Sequence, residues 1–337
     1  MDIEILRERA RIIRKTRSFF DLRGYLELDT PLLAPDLIPE TSLEVFETAY
    51  IPPRQSKGAA EKRWLIPSPE IWMKKLIAAH RTDMYQICKC FRNTESRGSL
   101  HNPEFTMLEY YTMDAGYEDS LLITEDLFRH LLPAAPSGEA PGAVETQPGP
   151  LSPPFMRITM EEAFLRWAGF SLHETAAAGA GALEAEGRRL GLDPPPGLDT
   201  ATLYDLIFIH AIEPALPRDR PVAILDYPAF VPCLAKKKAG SRTVERWELY
   251  LRGIELANCY SEETDPHEVR RYFETESAVK EKTGRVRHKV DADYWKVFSP
   301  RRDGAFPRCS GVAMGVDRLI MALTGKSFID SILPFTV

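Results

Sequence analysis

The 337-residue chain contains no apolar run approaching the roughly 18 residues a membrane helix needs. Residues 1–17 are charged and lack the apolar stretch of a signal peptide. With neither span nor leader, a cytoplasmic protein with no membrane partner is expected. The five cysteines (88, 90, 233, 259, 309) are odd in number, scattered and without a C-x-x-C pair, which speaks against a disulfide framework or a structural zinc site. No G-x-x-x-x-G-K-[ST] and no G-x-G-x-x-G is present, so any nucleotide must bind without a P-loop or dinucleotide fingerprint. There is no internal repeat and no net positive charge. At −6 the chain as a whole repels polyphosphate, and a nucleic-acid partner would need a local basic patch. Lys236, Lys237, Lys238, Arg242 and Arg246 form one, although a solvated loop is the plainer reading of it.

What is present is an ordinary globular composition, 44% hydrophobic and 27% charged, long enough for one large domain or two modest ones. Ile5/Leu6, Ile12/Ile13 and Phe19/Phe20 recur every seven residues between Asp2 and Gly24, which predicts an amphipathic helix with a cap at either end. A strand over 25–30 should stop at Pro31. Two strand-rich blocks, 64–111 and 222–262, precede a Gly-punctuated segment at 309–323. Short turns between strands, with helices at the ends, predict an α+β fold on an antiparallel sheet. Pro-, Gly- and Ala-rich text near 133–156 and 173–200 reads as surface connections or insertions within one catalytic domain over 1–337, with 176–197 a weak helix pair or insertion.

Three constellations could carry chemistry. Alternation over 84–92 puts Gln86, Cys88, Cys90 and Arg92 on one face of a strand, and a second strand over 101–111 aligns Phe105, Met107, Glu109 and Tyr111 beside it. A ring next to an arginine suits a purine and a phosphate; the bland alternative is a solvent face with one ion pair. In Glu248-Leu-Tyr-Leu-Arg-Gly-Ile-Glu255, a two-residue Arg252-Gly253 turn sets Tyr250 opposite Glu255 with Glu248 diagonal to it. Two such carboxylates would repel unless a cation sat between them, and oxygen ligands beside phosphate favour Mg²⁺, yet from spacing alone two exposed glutamates are the better reading. Asn258, Tyr260 and Glu262 differ in parity from Glu255, so a bulge is required if all face one way. Finally Ser310-Gly-Val-Ala-Met-Gly-Val-Asp-Arg318 reads as a Gly-rich strand entering a helix with Arg318 in its first turn.

In this order the pieces resemble the three motifs of class II aminoacyl-tRNA synthetases. The first helix and the strand ending at Pro31 resemble motif 1, Phe91-Arg92-Asn93 with His101-Asn-Pro-Glu-Phe-Thr-Met-Leu-Glu-Tyr-Tyr111 resembles motif 2 of the lysine subgroup, and Gly315-Val-Asp-Arg318 resembles motif 3. The resemblance implies the class II catalytic fold, a homodimer, and an ATP-dependent ligase that forms an aminoacyl adenylate. It implies that Arg92 and Arg318 grip the ATP phosphates, Phe105 stacks on adenine, and Asn93, His101, Asn102, Glu104, Glu255, Leu256 and Gly315 complete the nucleotide site. Glu248 and Glu255 would bind Mg²⁺. For the amino acid it implies Ser68, Glu70 and Asn258, a distal-ammonium group of Glu109, Tyr111 and Glu262, and Tyr260 and Ala313 as further contacts, a carboxylate-rich set suited to lysine.

Lysyl-tRNA synthetases carry an N-terminal anticodon-reading domain, for which no room remains ahead of motif 1. A lysine catalytic core by itself is similar to the elongation factor P lysine ligases, which attach lysine or (R)-β-lysine to a lysine of that factor. Ser68-Pro-Glu70 and Ala313, the latter standing where synthetases usually have glycine, agree with that subgroup. The loop between Arg92 and His101 departs from it by one extra residue and by Thr94-Glu95, as does the text over 233–243. A minimal enzyme charging tRNA or a small amine and a non-catalytic regulatory paralogue are the other readings.

Overall fold

The computed structural model describes residues 2–53, 60–94, 98–132, 151–300, 302 and 304–336. The chain forms two compact units, Met1–Gly116 with Glu262–Val337, and Tyr117–Ser261.

The first unit opens with α1 (Ile3–Leu22). Asp2 caps it by accepting from the Glu4 amide at 2.9 Å, and Gly24 takes φ +78° just past its end. The heptad spacing buries Ile12, Phe19 and Phe20, and Phe20 packs on the rings of Tyr25, Tyr85 and Tyr110 at 4.8–5.1 Å. The strand expected over 25–30 is only β1 (Leu26–Glu27), in parallel register with Met84 and Tyr85; one more hydrogen bond, Leu28 N to Tyr85 O, follows before the chain turns away toward Pro31. A small antiparallel sheet holds β2 (Leu33–Ala34), β3 (Glu47–Tyr50) and β4 (Glu61–Leu65) in the order β2-β4-β3. Then come α2 (Glu70–His80) and the hairpin of β5 (Met84–Phe91) and β6 (Glu104–Met113).

In the second unit, α3 (Tyr117–Leu131) precedes the Pro- and Gly-rich text near 133–156, of which 133–150 lies outside the described residues. From 151 the chain enters β7 (Met156–Thr159), whose last residue makes a reciprocal capping box with Glu162 and starts α4 (Met160–Ala163). The 173–200 text gives the short helices α5 (Leu172–Ala177) and α6 (Ala180–Arg189), followed by α7 (Thr200–Ile207). Strands β8 (Val222–Pro228), β9 (Thr243–Leu251) and β10 (Ile254–Ser261) complete a sheet in the order β10-β9-β8-β7, antiparallel except for β7 with β8. Its apolar face packs on the helices through Phe164, Leu203, Ile207 and Phe208.

Returning to the first unit, α8 (Pro266–Thr283), β11 (Cys309–Gly315) and α9 (Val316–Thr324) follow. β11 lies antiparallel to β6, giving the order β1-β5-β6-β11. Both units are thus α+β, with sheets antiparallel apart from one parallel edge pair each. That pattern suits the fold class the hairpin-rich text implies.

Candidate active site

In the first unit the β5–β6 register sets Cys90 opposite Phe105 and Gln86 opposite Glu109, so the face read from alternation is the one the fold builds. Just beyond β5, Arg92 hydrogen-bonds the Pro103 carbonyl through its amide at 3.0 Å and lays its guanidinium over the Phe105 ring at 5.1 Å. The Arg92 Nε is buried with no hydrogen-bond partner among the described residues. Arg318 stands in the first turn of α9, after Gly315, and donates from Nη2 to His101 Nε2 at 2.6 Å. Its neighbour Asp317 is buried and accepts from Arg9 Nη1 at 2.6 Å and from the Thr106 amide at 2.7 Å, which ties α1, β6 and α9 together. These contacts bring two cations and an aromatic face into one unit, as an anionic nucleotide requires.

Other expected nucleotide residues serve the loop. Asn93 donates to the Val45 carbonyl at 3.2 Å and accepts from the Thr94 amide at 2.9 Å. Asn102 is buried and donates to the Glu104 carbonyl at 2.5 Å. Glu104 points to the opposite face of β6 from Phe105 and pairs with Lys89 at 3.2 Å. Glu95 lies outside the described residues.

A second cluster in the same unit is acidic and dry. Glu109 and Glu262 are 3% exposed, and Tyr111 donates to Glu109 Oε1 at 2.8 Å. The Glu109 Oε2 and both ends of the Gln86 amide have no hydrogen-bond partner among the described residues. A buried carboxylate oxygen without a donor is costly unless a ligand supplies one. Burial pushes the Glu109 carboxyl well above its ordinary range, Glu70 adds to this, and Tyr111 offsets part of it. Burial likewise raises Glu262 to about 7 against the pull of Lys74. Ala313 faces Glu109 across the β6–β11 pair, and Gly311 faces Tyr111. A methyl on Gly311 would stand 2.7 Å from Glu262 Oε1 and closer still to the Tyr111 ring, so this glycine makes room for the cluster itself.

Lys74 was missed by the sequence reading. Its ammonium, 1% exposed, lies 2.5 Å from Glu70 Oε1 and 2.7 Å from Glu262 Oε2. Burial opposes the charge, but Glu262 and Glu70 outweigh it and hold the Lys74 pKa well above the lysine value. Glu40 was also missed; burial, with Glu70 adding and Arg92 opposing, raises it to about 7. The i,i+4 spacing of Glu70 and Lys74 was visible, but it reads equally as a surface pair. Ser68 lies two residues ahead of Glu70, which opens α2.

In the second unit, Arg252 (φ +57°) and Gly253 (φ +75°) form the two-residue turn, and Tyr250 lies opposite Glu255. The expected bulge is present: the register slips between Glu255 and Ala257, around the buried Leu256, so Glu248 faces Asn258 and Arg246 faces Tyr260. Glu248 accepts from Arg246 and, at 2.8 Å, from the Tyr250 hydroxyl. Arg246 therefore belongs to a buried network, its guanidinium 4.4 Å over Tyr227 and 5.4 Å over Tyr260, and is not part of a solvated basic loop. Among the described residues no three His, Cys, Asp or Glu side chains gather as a metal cage. Glu248 and Glu255 on one face nevertheless fit an ion such as Mg²⁺, which commonly takes one or two carboxylates and completes its shell with water and substrate phosphates.

The sequence of 3–337 matches the family described as tRNA synthetases class II (D, K and N), and the chain belongs to that family. It is 33% identical over 336 residues to the elongation factor P–(R)-β-lysine ligase of Avibacterium paragallinarum, an alignment that takes in 99% of this chain and 96% of the relative. The proteins of the same description from Vibrio vulnificus and Vibrio cholerae are 35% and 34% identical, over 99% of this chain and 95% of each relative. The chain is accordingly an ATP-dependent ligase of the class II synthetase type.

Proposed function

We propose that this protein activates lysine or (R)-β-lysine with ATP and transfers it to a lysine ε-amino group of elongation factor P. The observation that carries the amino-acid half is the set of buried Glu109 and Glu262 with the half-buried Glu70, in which one Glu109 oxygen lacks a donor that an ammonium would supply. The acceptor rests on the relatives, whose names specify elongation factor P and (R)-β-lysine.

In the first step a substrate carboxylate oxygen attacks the α-phosphorus of ATP, forming the acyl-phosphate bond as the bond to pyrophosphate breaks. Arg92, with its unpartnered buried Nε, and Arg318 stabilise the charge that builds on the phosphates, while Phe105 offers the base a stacking face. Glu248 and Glu255 would hold Mg²⁺, whose contribution when bound is further neutralisation of phosphate charge. Glu70 takes one substrate amino group and Glu109, Tyr111 and Glu262 the distal ammonium; Ser68, Asn258, Tyr260 and Ala313 keep the substrate contacts the resemblance implies. In the second step the acceptor amine attacks the carbonyl carbon, AMP leaves, and the amine proton passes to solvent. A cytoplasmic homodimer is part of this reading: the acceptor is a translation factor, and α1 and β1 leave Leu22 and Leu26 78% and 53% exposed.

The test is parallel incorporation of labelled lysine and (R)-β-lysine, with ATP and Mg²⁺, into elongation factor P and into lysine tRNA. Base-stable label in the protein is expected. Base-labile label in tRNA alone would replace this reading with that of a minimal aminoacyl-tRNA synthetase.

A further inference from the structure

The side chain that most constrains the acidic cluster is the protein's own Lys74. It is carried on α2, one turn after Glu70, and reaches across to Glu262 in the segment after β10 that returns to the first unit. Two carboxylates from separate elements thus share one buried ammonium. The groups that act on this site electrostatically come from several elements around it: Glu70 from α2, Glu109 and Tyr111 from β6, Cys88 from β5, Arg92 just beyond β5, Glu40 ahead of β3, Glu262 and Glu263, Tyr294 from the short helix Tyr294–Phe298, and Cys309 from β11. Lys74 is a cation in direct contact with Glu70 and Glu262.

We propose that Lys74 is a positioning residue that fixes the pocket's charge, so that it accepts a substrate bearing two ammonium groups. This rests on the reading that Glu70, Glu109 and Glu262 receive the substrate's amino groups. Once a cationic ligand has drawn the protons from Glu109 and Glu262, these two with Glu70 leave a net charge of minus two against the one fixed ammonium of Lys74, while Glu40 and the Arg92 cation near it oppose one another. Lysine and (R)-β-lysine each bring two ammonium groups, and their carboxylate is consumed in the adenylate. A buried site must balance its charge, so a fourth positive charge inside would be surplus and a single ammonium would leave a carboxylate bare. Lys74 holds one oxygen of Glu70 and one of Glu262 and leaves the other oxygen of each outside its own contacts.

Lysine-dependent ATP–pyrophosphate exchange by Lys74→Ala, measured from pH 5.5 to 9, tests this. Without the internal ammonium the carboxylates hold their protons more tightly, so the acidic limb of the lysine KM profile should move up by about one to three pH units. The lysine KM at pH 7 should rise about tenfold or more, with a smaller fall in kcat and an unchanged KM for ATP. Propylammonium, which supplies the missing group, should restore part of the affinity. An unmoved pH limb with no amine rescue, or a loss confined to kcat, would overturn the proposal. If the alanine variant does not fold, Lys74→Gln is read by the same pH limb. The unsubstituted enzyme gives an independent reading: with ¹⁵Nε-lysine labelling, one ammonium signal should be protected from solvent exchange and should shift when lysine binds. No protected signal, or one indifferent to lysine, refutes the proposal. Absence of any lysine-dependent exchange in the unsubstituted enzyme would instead refute the function, since the protected signal is present or absent regardless.

Discussion

Lysine binding should strengthen as pH rises through neutrality, and the size of the effect follows from the acidic cluster. In the ligand-free protein Glu262 titrates at about 7, raised by burial more than Lys74 lowers it, and Glu109 is raised as well. A substrate ammonium needs the ionised carboxylate. At pH 6 only about a tenth of Glu262 is ionised, so each unit below its pKa should weaken lysine binding about tenfold, or about 1.4 kcal/mol. The sign for folding is the opposite. A carboxyl whose folded pKa exceeds its unfolded value of 4.5 keeps a proton that the unfolded chain has released, so its contribution to stability is full below pH 4.5 and is lost as pH rises through about 7. That contribution is on the order of 3 kcal/mol. Thermal stability of the free protein should therefore fall across this window while protection by lysine grows. Titration calorimetry at pH 5.5–8.5, in two buffers of different ionisation enthalpy, reads both Kd and the protons released. Glu262→Gln should remove its share of the proton release and weaken binding at pH 8 by about 10- to 100-fold. A pH-independent Kd with no proton release, or an unchanged lysine affinity in the glutamine variant, would refute the pocket assignment.

Asp317→Asn should destabilise the first unit by about 3 kcal/mol, because Arg9 loses the charge it is paired with in a largely dry setting; a drop in thermal midpoint of about 6–12 °C checks it. The ATP KM should rise with it, since Asp317 anchors the turn that carries Arg318. Gly311→Ala should cost about 1–3 kcal/mol through the clash of its methyl with Tyr111 and Glu262, and lysine KM should rise more than ATP KM in steady-state exchange. Arg252→Asn should stabilise the β9–β10 hairpin by about 1 kcal/mol, because asparagine tolerates the left-handed backbone that arginine occupies there; urea unfolding should show a higher midpoint with an unchanged slope.

The parts of the fold legible in the sequence were those where local pattern and burial coincide. Alternation placed Phe105, Glu109 and Tyr111 on one face because a strand's period is two, and the Arg252-Gly253 pair announced its own turn. The parity mismatch between Glu255 and Asn258 called for a bulge if these residues were to face one way, and the register contains one between Glu255 and Ala257. The strand after α1 was overread, because 25–30 has the extended text of a strand but finds a partner only for Leu26 and Glu27. Arg246 was placed among solvated cations because charge runs are read along the chain, whereas its burial comes from Tyr227 and Tyr260 on neighbouring strands.

Lys74 shows why the acidic pocket was only half legible. Glu70 and Lys74 are four residues apart on a helix, the commonest spacing for a solvent-exposed pair worth a few tenths of a kcal/mol. The same spacing is buried here because α2 turns that face inward, with Lys74 between Ile71, Met73 and Ile77 among its buried residues, and because Glu262 arrives from 188 positions further along the chain to meet it. Side-chain spacing fixes which residues of one helix can touch; it carries no information about what a distant segment brings to them. An isolated buried ammonium would be prohibitive, so the second carboxylate is what makes Lys74 tolerable, and Lys74 in turn lets two carboxylates sit close together in a dry site. Each member is unfavourable alone, so the cluster has to be recognised as a set, and the Glu109 oxygen without a donor among the described residues points to a cation supplied from outside.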